Sequence, residues 1–242
     1  MYLILTMVRK KIKAAAFLGL LLFQFLGTSL AMAENQLQVV DSPENEKLSV
    51  ITPLNYKGLN PEIYELAYRA HIKAIASKKS NSTILAIVDY SLPSTEKRLW
   101  VVDLEKRKVI FKDFVAHGRN ESGQEGLMAN YFSNTPNSNA SSLGVFMAGK
   151  PYRGKHGLSL RLKGLEKDFN TNAEKRAIVV HGAPYVSRYF MQKSGRLGCS
   201  YGCFSVRPQV SNKLIRHLPE GALLLAYYPD ENWLKNSSYL RN

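Results

Sequence analysis

Cysteine is scarce in this chain of 242 residues, which contains only Cys199 and Cys203. Two cysteines exclude a scaffold built on several disulfides, and no C-x-x-C or H-x-x-x-H pair indicates a structural zinc site. Three histidines precede a glycine (His117, His156 and His181) and would supply zinc ligands together with a cysteine, but no local pairing supports that arrangement. We therefore predict that the protein needs no metal and no organic cofactor.

Acidic residues are also few, because 19 Asp and Glu stand against 33 Lys and Arg and give a formal net charge of +14. A basic surface suits an anionic polymer, although basic runs such as Lys106-Arg107-Lys108 also occur at turns simply as solvated charge. The sequence has no zinc-finger spacing, recognition helix or repeat of aromatic and basic residues. A nucleic-acid partner is therefore not predicted.

A long apolar run is missing too, since the run at 14–26 is shorter than the roughly 20 residues that span a bilayer. Four basic residues precede it (Arg9, Lys10, Lys11 and Lys13), and the small-residue cleavage pattern Ala31-Met32-Ala33 follows it. We predict a secretory signal peptide at 1–33, and hence an exported protein of the periplasm or cell envelope that meets a membrane only during secretion. An uncleaved anchor is the alternative. Both Met1 and Met7 remain possible starts.

The chain after the predicted signal divides by composition. Residues 34–57 are polar and are predicted to be a tether, and 58–80 to contain an N-terminal helix packed on the domain that follows. Asn60 is suited to cap this helix and Pro61 to begin it, and the helix is expected to extend to about residue 76. The main domain is predicted at 81–232, with a C-terminal tail at 233–242.

Short runs rich in β-branched and aromatic residues fill the main domain. They predict seven strands, at 84–90, 99–104, 109–116, 144–148, 158–165, 177–181 and 222–228. Pro208 is expected to begin a short helix that ends near residue 218. The predicted fold class is therefore mainly β with a few helices, preceded by the N-terminal helical segment.

Two residues in the second half of the chain, His181 and Cys203, each end a segment suited to hold a reactive side chain still. His181 ends an apolar run that predicts a buried strand, and Gly182 follows it. Cys203 ends the tight stretch Ser200-Tyr201-Gly202-Cys203. A thiol with a pKa near 8.5 is only about 3% thiolate at neutral pH and needs a neighbouring base. We therefore predict Cys203 as a nucleophile with His181 as its general base and acid.

Backbone amides beside the nucleophile are the expected donors to an oxyanion. The predicted oxyanion hole consists of the amides of Tyr201, Gly202 and Cys203, with Ser200 and Gly182 supporting the geometry of the two segments. The alternative is that Cys203 is a small buried side chain and His181 a core histidine. Their shared context favours the catalytic interpretation.

The same segments resemble a known family. His181-Gly182 followed by Ser200-x-Gly202-Cys203 resembles the active-site signature of the YkuD-type L,D-transpeptidases, and 141–146 resembles that family's Ser/Thr-x-x-Gly-x-Phe segment. The resemblance covers roughly 83–230 and is closest to a divergent branch of murein L,D-transpeptidase catalytic domains. It implies the sandwich-like sheet arrangement of that family.

Two positions depart from the family pattern, which has His before the Gly-Cys pair and Arg or Asn two residues after the Cys. This chain has Tyr201 and Ser205 at those places. The grip on substrate near the nucleophile is expected to differ accordingly, and Arg207 is a candidate replacement.

The resemblance implies an exported cysteine acyl-transferase that acts on peptidoglycan stem peptides. Cys203 would form a thioester with the third stem residue, a diamino acid, and expel the terminal D-alanine, after which a second stem's amine would complete a 3-3 cross-link. Water as the acceptor would make the protein an L,D-carboxypeptidase. The departures also allow an envelope-binding protein with weak or no catalysis. The acceptor and the oligomeric state are left open.

Four further residues are candidates for contact with substrate: His156, Arg119, Arg196 and Arg207. Arg119 and Arg196 are suited to bind a substrate carboxylate bidentately, or else to cover apolar surface. His156 is suited to line the pocket, or else to be a turn histidine bonded to backbone.

Cys199 has one possible intramolecular partner, the proposed nucleophile. A reversible Cys199–Cys203 disulfide that silences the enzyme is one hypothesis for a protein in an oxidising compartment. It requires the two Cα atoms to approach within about 7 Å. A buried Cys199 thiol that points away is the alternative, and both stay open.

Overall fold

The computed structural model describes residues 58–120 and 124–241 of the chain. The predicted signal peptide at 1–33 and the predicted tether at 34–57 lie outside these residues. Within the two described ranges, no helix is long and apolar enough to cross a membrane.

Helix α1 (Pro61–Ala76) opens the described fold at the position that the sequence predicts. The Asn60 side chain accepts the N–H of Glu62 at 2.8 Å, and Pro61 occupies the first turn, where its missing N–H costs no hydrogen bond. Its apolar side, which includes Ile63, Ala67 and Ala74, is buried. The helix packs on the strands Ile84–Asp89 and Leu223–Tyr227, which are neighbours in the middle of the sheet, so it belongs to the same folded unit.

In the described part of the chain, eight strands form one sheet: β1 (Ile84–Asp89), β2 (Leu99–Asp103), β3 (Lys108–Asp113), β4 (Gly144–Gly154), β5 (Gly157–Gly164), β6 (Val179–Gly182), β7 (Phe204–Val206) and β8 (Leu223–Tyr227). Their order across the sheet is β3-β2-β1-β8-β4-β5-β6-β7. Neighbours are antiparallel except for the parallel pairs β1–β8 and β6–β7. The described residues also form three short helices: α2 (Arg188–Ser194), α3 (Pro208–Arg216) and α4 (Glu231–Asn236). The predicted fold class, mainly β with a few helices, is confirmed.

The sheet is curled so that its two edge strands approach each other. Just beyond β3, the Ala116 N–H donates to the Ser205 carbonyl of β7 at 2.8 Å. Arg207, which follows β7, binds Asp113 at the end of β3 through two hydrogen bonds of 2.8 and 2.6 Å. Side chains from all eight strands share one hydrophobic core as a result. The curl explains why two sheet halves face each other like a sandwich although the sheet is continuous.

Some short elements are absent from the sequence prediction. Strand β7 has three residues, and helices α2 and α4 have seven and six. The prediction of a tail at 233–242 is wrong for 233–241, because Trp233 in α4 is fully buried and Tyr239 and Leu240 are only 9% exposed. The Trp233 ring also contacts Tyr227 of β8, so this segment is part of the folded domain.

Candidate active site

A cleft of about 800 Å³ contains both residues of the predicted catalytic pair. Strand β6 contributes His181 to its wall, and the turn between β4 and β5 contributes His156. The segment that precedes β7 contributes Cys199, Ser200, Tyr201 and Cys203. Because β6 and β7 are neighbours, residues far apart in sequence reach the same end of the cleft.

The buried His181 ring is fixed through both nitrogens. Its Nδ1 lies 2.9 Å from the Gly182 carbonyl, which can only accept, so Nδ1 carries the proton of the neutral ring. The Nε2 lone pair then accepts from the Ser205 hydroxyl at 3.0 Å. Because the single Ser205 hydrogen is used in that bond, the Tyr185 hydroxyl donates to Ser205 at 2.8 Å. The hydrogen-bond chain therefore presents Nε2 as the basic nitrogen.

The pKa of His181 is lowered, mainly by burial, although its bond to the Gly182 carbonyl acts in the opposite direction. The His156 ring stacks on the His181 ring with centroids 4.3 Å apart and planes at 23°. His156 and the neighbouring Lys155 also lower the His181 pKa electrostatically. A folded pKa below the ordinary value leaves His181 neutral at neutral pH, which is the form that a general base requires.

The Cys203 thiol is partly exposed and donates to the Ala177 carbonyl at a sulfur–oxygen distance of 3.7 Å. Burial raises the pKa of this thiol, whereas a Val179 N–H and the charges of Arg176 and Lys155 lower it. The net direction is upward, so the resting side chain is a thiol. The Cys203 sulfur and the His181 ring thus have different hydrogen-bond partners in this structure.

The turn that leads to Cys203 is held by Ser200. Its hydroxyl accepts the Gly202 N–H at 3.1 Å and donates to the Cys203 carbonyl at 2.8 Å. Gly202 has a φ of +100°, a conformation that favours glycine. Because the Gly202 N–H is already used inside the turn, the amides of Tyr201 and Cys203 are better placed to serve an oxyanion.

The predicted substrate-binding residues separate into two groups. Arg119 lines the cleft, its guanidinium lies 5.3 Å from the Tyr201 ring centroid, and it binds Glu125 at 3.3 Å. Arg196 binds the other oxygen of Glu125 at 2.7 Å. Arg207 instead bridges the sheet edges through Asp113 and is not among the cleft-lining residues. The structure therefore places Arg119 and His156 in the lining of the cleft and joins Arg196 to it through Glu125, whereas Arg207 lies at the sheet edges.

The sequence prediction omits three residues that shape this site: Glu125, Arg176 and Tyr185. Arg176 precedes the apolar run of β6 and Tyr185 follows it, so both lie near His181 in sequence, but no local motif distinguishes them. Glu125 lies in the long segment between β3 and β4. Tyr185 reaches His181 through Ser205 of the neighbouring strand β7, and Arg176 and Glu125 join the predicted catalytic pair in the lining of the cleft.

Cys199 and Cys203 are both free thiols. The buried Cys199 sulfur lies 3.8 Å from His117 Nε2, and the opposite ring nitrogen of His117 lies 2.7 Å from the buried Arg98 guanidinium. Since Cys203 contacts the Ala177 carbonyl, the two sulfurs have separate partners. This geometry agrees with the alternative of a buried Cys199 thiol that points away. In the residues that the structure describes, no group of three His, Cys, Asp or Glu side chains could hold a metal ion.

Comparisons with known proteins point to one family. Residues 55–227, more than half of the chain, match the family model of the L,D-transpeptidase catalytic domain. The chain belongs to that family. No curated protein matches the chain.

Several solved structures are similar to the chain at low identity. An L,D-transpeptidase from Mycobacterium smegmatis is 12% identical with a TM-score of 0.39, over 61% of this chain and 60% of that chain. An L,D-transpeptidase (Yku) from Stackebrandtia nassauensis is 20% identical with a TM-score of 0.33, over 67% and 64%. L,D-transpeptidase 1 of Mycobacterium tuberculosis is 11% identical with a TM-score of 0.33, over 61% and 63%. The chain thus spans less than two thirds of each of these structures.

Proposed function

We propose that the protein is an exported L,D-transpeptidase in which Cys203 is the nucleophile and His181 the general base and acid. The observation that carries this proposal is the shared cleft, which contains a thiol and a buried, neutral imidazole whose Nε2 is oriented by Gly182 and Ser205. Export to the periplasm or cell envelope is part of the proposal and is based on the sequence of residues 1–33.

The first half of the reaction is acylation. The Cys203 side chain rotates from the Ala177 carbonyl toward His181, and Nε2 takes the thiol proton while releasing its bond from Ser205. The sulfur attacks the carbonyl carbon of the diamino acid in a tetrapeptide stem, and the C–N bond to the terminal D-alanine breaks. The protonated His181 then gives its proton to the departing amine. The products are a thioester on Cys203 and free D-alanine.

The second half transfers the acyl group. The side-chain amine of a second stem attacks the thioester, loses a proton to His181 Nε2, and forms the 3-3 cross-link as the Cys203 sulfur departs. Both halves pass through a tetrahedral oxyanion, which the amides of Tyr201 and Cys203 would stabilise. Water in place of the amine would give the carboxypeptidase reaction through the same thioester.

A carboxylate subsite beside the nucleophile is a further part of the proposal. Among the described residues, the cationic side chains of Arg119, Lys155 and Arg176 line the cleft, against the carboxylate of Glu125 alone. Glu125 binds Arg119 and Arg196 together and occupies the position that a substrate carboxylate would take. We propose that a stem carboxylate displaces Glu125 from Arg119.

Arg119→Gln should therefore raise KM about tenfold for a stem with free carboxylates, the size expected for one lost charge-assisted hydrogen bond. Two further stems, one amidated at the terminal D-alanine and one at the diamino acid, show which carboxylate Arg119 binds. For the stem in which that carboxylate is an amide, Arg119→Gln should leave KM unchanged. Glu125→Gln, the control, should lower KM for the free stem by removing the competing carboxylate. An equal KM increase for all three stems would contradict the subsite.

The product of a simple incubation tests the function itself. We expect the purified protein to convert a tetrapeptide-bearing muropeptide into a cross-linked dimer that has lost one D-alanine, as measured by mass spectrometry. A tripeptide monomer alone would identify a carboxypeptidase. Unchanged substrate, from protein that is folded by circular dichroism, would favour the envelope-binding alternative instead.

A further inference from the structure

Arg176 lies beneath the turn that carries Cys203. A Cβ atom placed on Gly202 would be 3.0 Å from Arg176 Nη2 and 2.5 Å from the Ala140 carbonyl oxygen. That same carbonyl accepts a hydrogen bond from Nη2. The guanidinium and the Ala140 carbonyl therefore both pack against the turn, and Arg176 lines the same cleft as Cys203.

The Arg176 guanidinium is fixed without being neutralised. Nη1 donates to the Ser133 carbonyl and the Ser142 hydroxyl, and Nη2 donates to the Ser138 hydroxyl at 3.2 Å as well as to Ala140. All four acceptors are uncharged. None of the ion pairs formed by the described residues includes Arg176. A half-buried positive charge is thus held in place by oxygens that cannot cancel it.

We propose that Arg176 is the fixed cation that stabilises the thiolate form of Cys203. A positive charge near a thiol favours the thiolate, and a charge inside a cleft is screened less by salt than an exposed one. Lys155 acts in the same direction but is exposed. In the resting state, the contact with the Ala177 carbonyl and burial both favour the protonated thiol. The Arg176 charge acts against burial and favours the thiolate that forms when His181 removes the proton.

Other titratable groups also face this end of the cleft, and each could influence a titration of Cys203: Lys155, His156, His181 and Tyr185, together with Tyr90, which interacts with Cys203 electrostatically. Arg176 differs from them in being a partly buried guanidinium that forms none of the ion pairs of the described residues. A substitution at Arg176 should therefore move the midpoint of the thiol titration without adding a new step to it.

The test measures the alkylation rate of Cys203 by iodoacetamide against pH, in a Cys199→Ala background that leaves a single thiol. Arg176→Gln should raise the midpoint by about one pH unit, which lowers the thiolate fraction at pH 7 about tenfold. Arg176→Lys, which keeps the charge, should raise the midpoint by less than half of the rise expected for Arg176→Gln. Ser142→Ala is the matched control, because it removes one acceptor of Arg176 and loosens the same contacts without removing charge, and its midpoint should stay unchanged.

An unchanged midpoint in folded Arg176→Gln protein would overturn the proposal, and so would an equal shift in Ser142→Ala. If Arg176→Gln does not fold, Arg176→Lys decides alone: a midpoint near the parent value supports the charge, and a rise of a full unit overturns it. The inference rests on the proposed role of Cys203 as nucleophile. Alkylation requires no turnover, however, so an inactive enzyme with the expected midpoints would refute the proposed function and leave the role of Arg176 intact.

Discussion

Cys203→Ala and His181→Ala should each reduce cross-linking of muropeptides by roughly 10⁴-fold or more, since a nucleophile and its base act as one unit. Cys203→Ala removes the atom that forms the thioester. His181→Ala removes the proton acceptor beside a thiol whose pKa is already raised by burial, so little thiolate remains at neutral pH. Initial rates of dimer formation, measured by chromatography and mass spectrometry, give both values.

Cys199→Ala is the control for these two variants. The Cys199 sulfur contacts His117 rather than the catalytic pair, so we expect its removal to leave most of the activity. All three proteins should keep the circular dichroism spectrum of the parent. Full turnover in folded Cys203→Ala protein would disprove the assignment of the nucleophile. Loss of turnover in Cys199→Ala alone would transfer the role to Cys199.

The features that the sequence predicts well are those set by neighbouring residues. Helix α1 begins after Asn60 because a capping side chain and a proline act within a single turn. The apolar run before His181 predicts a strand, and the structure assigns β6 to Val179–Gly182, with His181 next to its last residue. The predicted strand begins two residues too early, because Ala177 has a φ of +55° and cannot continue a ladder.

The features that the sequence does not predict depend on contacts across the curled sheet. Ser205 is two residues from Cys203 in sequence, but its bond to His181 depends on the parallel pairing of β6 with β7, in which the two residues are partners. Nothing near Arg207 in sequence indicates Asp113, which lies at the opposite sheet edge. A guanidinium suited to bind a carboxylate is recognisable from sequence, whereas the particular carboxylate is decided by topology.

Ser205 also gives physical meaning to one departure from the family pattern. At this place the family has Arg or Asn, whereas here a fully buried serine connects Tyr185 to His181. The Ser205 hydroxyl can donate to the neutral ring at Nε2. When Nε2 becomes protonated, the hydroxyl can turn and accept from it instead. Ser205 therefore orients His181 in this chain, and the positive charges that act on Cys203 are those of Arg176 and Lys155.

Gly202→Ala should reduce kcat/KM at least about 100-fold, the loss expected when a reacting group is displaced by about 1 Å. At φ +100°, an alanine bears backbone strain of about 1–3 kcal/mol. Its Cβ would also approach the Ala140 carbonyl oxygen to 2.5 Å and Ile178 Cδ1 to 2.9 Å. Because the contacted Ala140 oxygen is a backbone atom and cannot rotate away, the turn itself has to move, and Cys203 moves with it. Steady-state kinetics and thermal melting measure both effects.

Gly195→Ala separates strain from displacement. Gly195 ends α2 with a φ of +68°, and a Cβ atom there meets nothing within 4 Å. The Gly195→Ala variant should therefore lose about 1–2 kcal/mol of stability through backbone strain alone, and its kcat/KM should stay unchanged. Gly202→Ala should lose both stability and activity, because the added methyl group displaces the nucleophile. If the two variants lose activity equally, the close packing of Gly202 against Ala140 does not position Cys203.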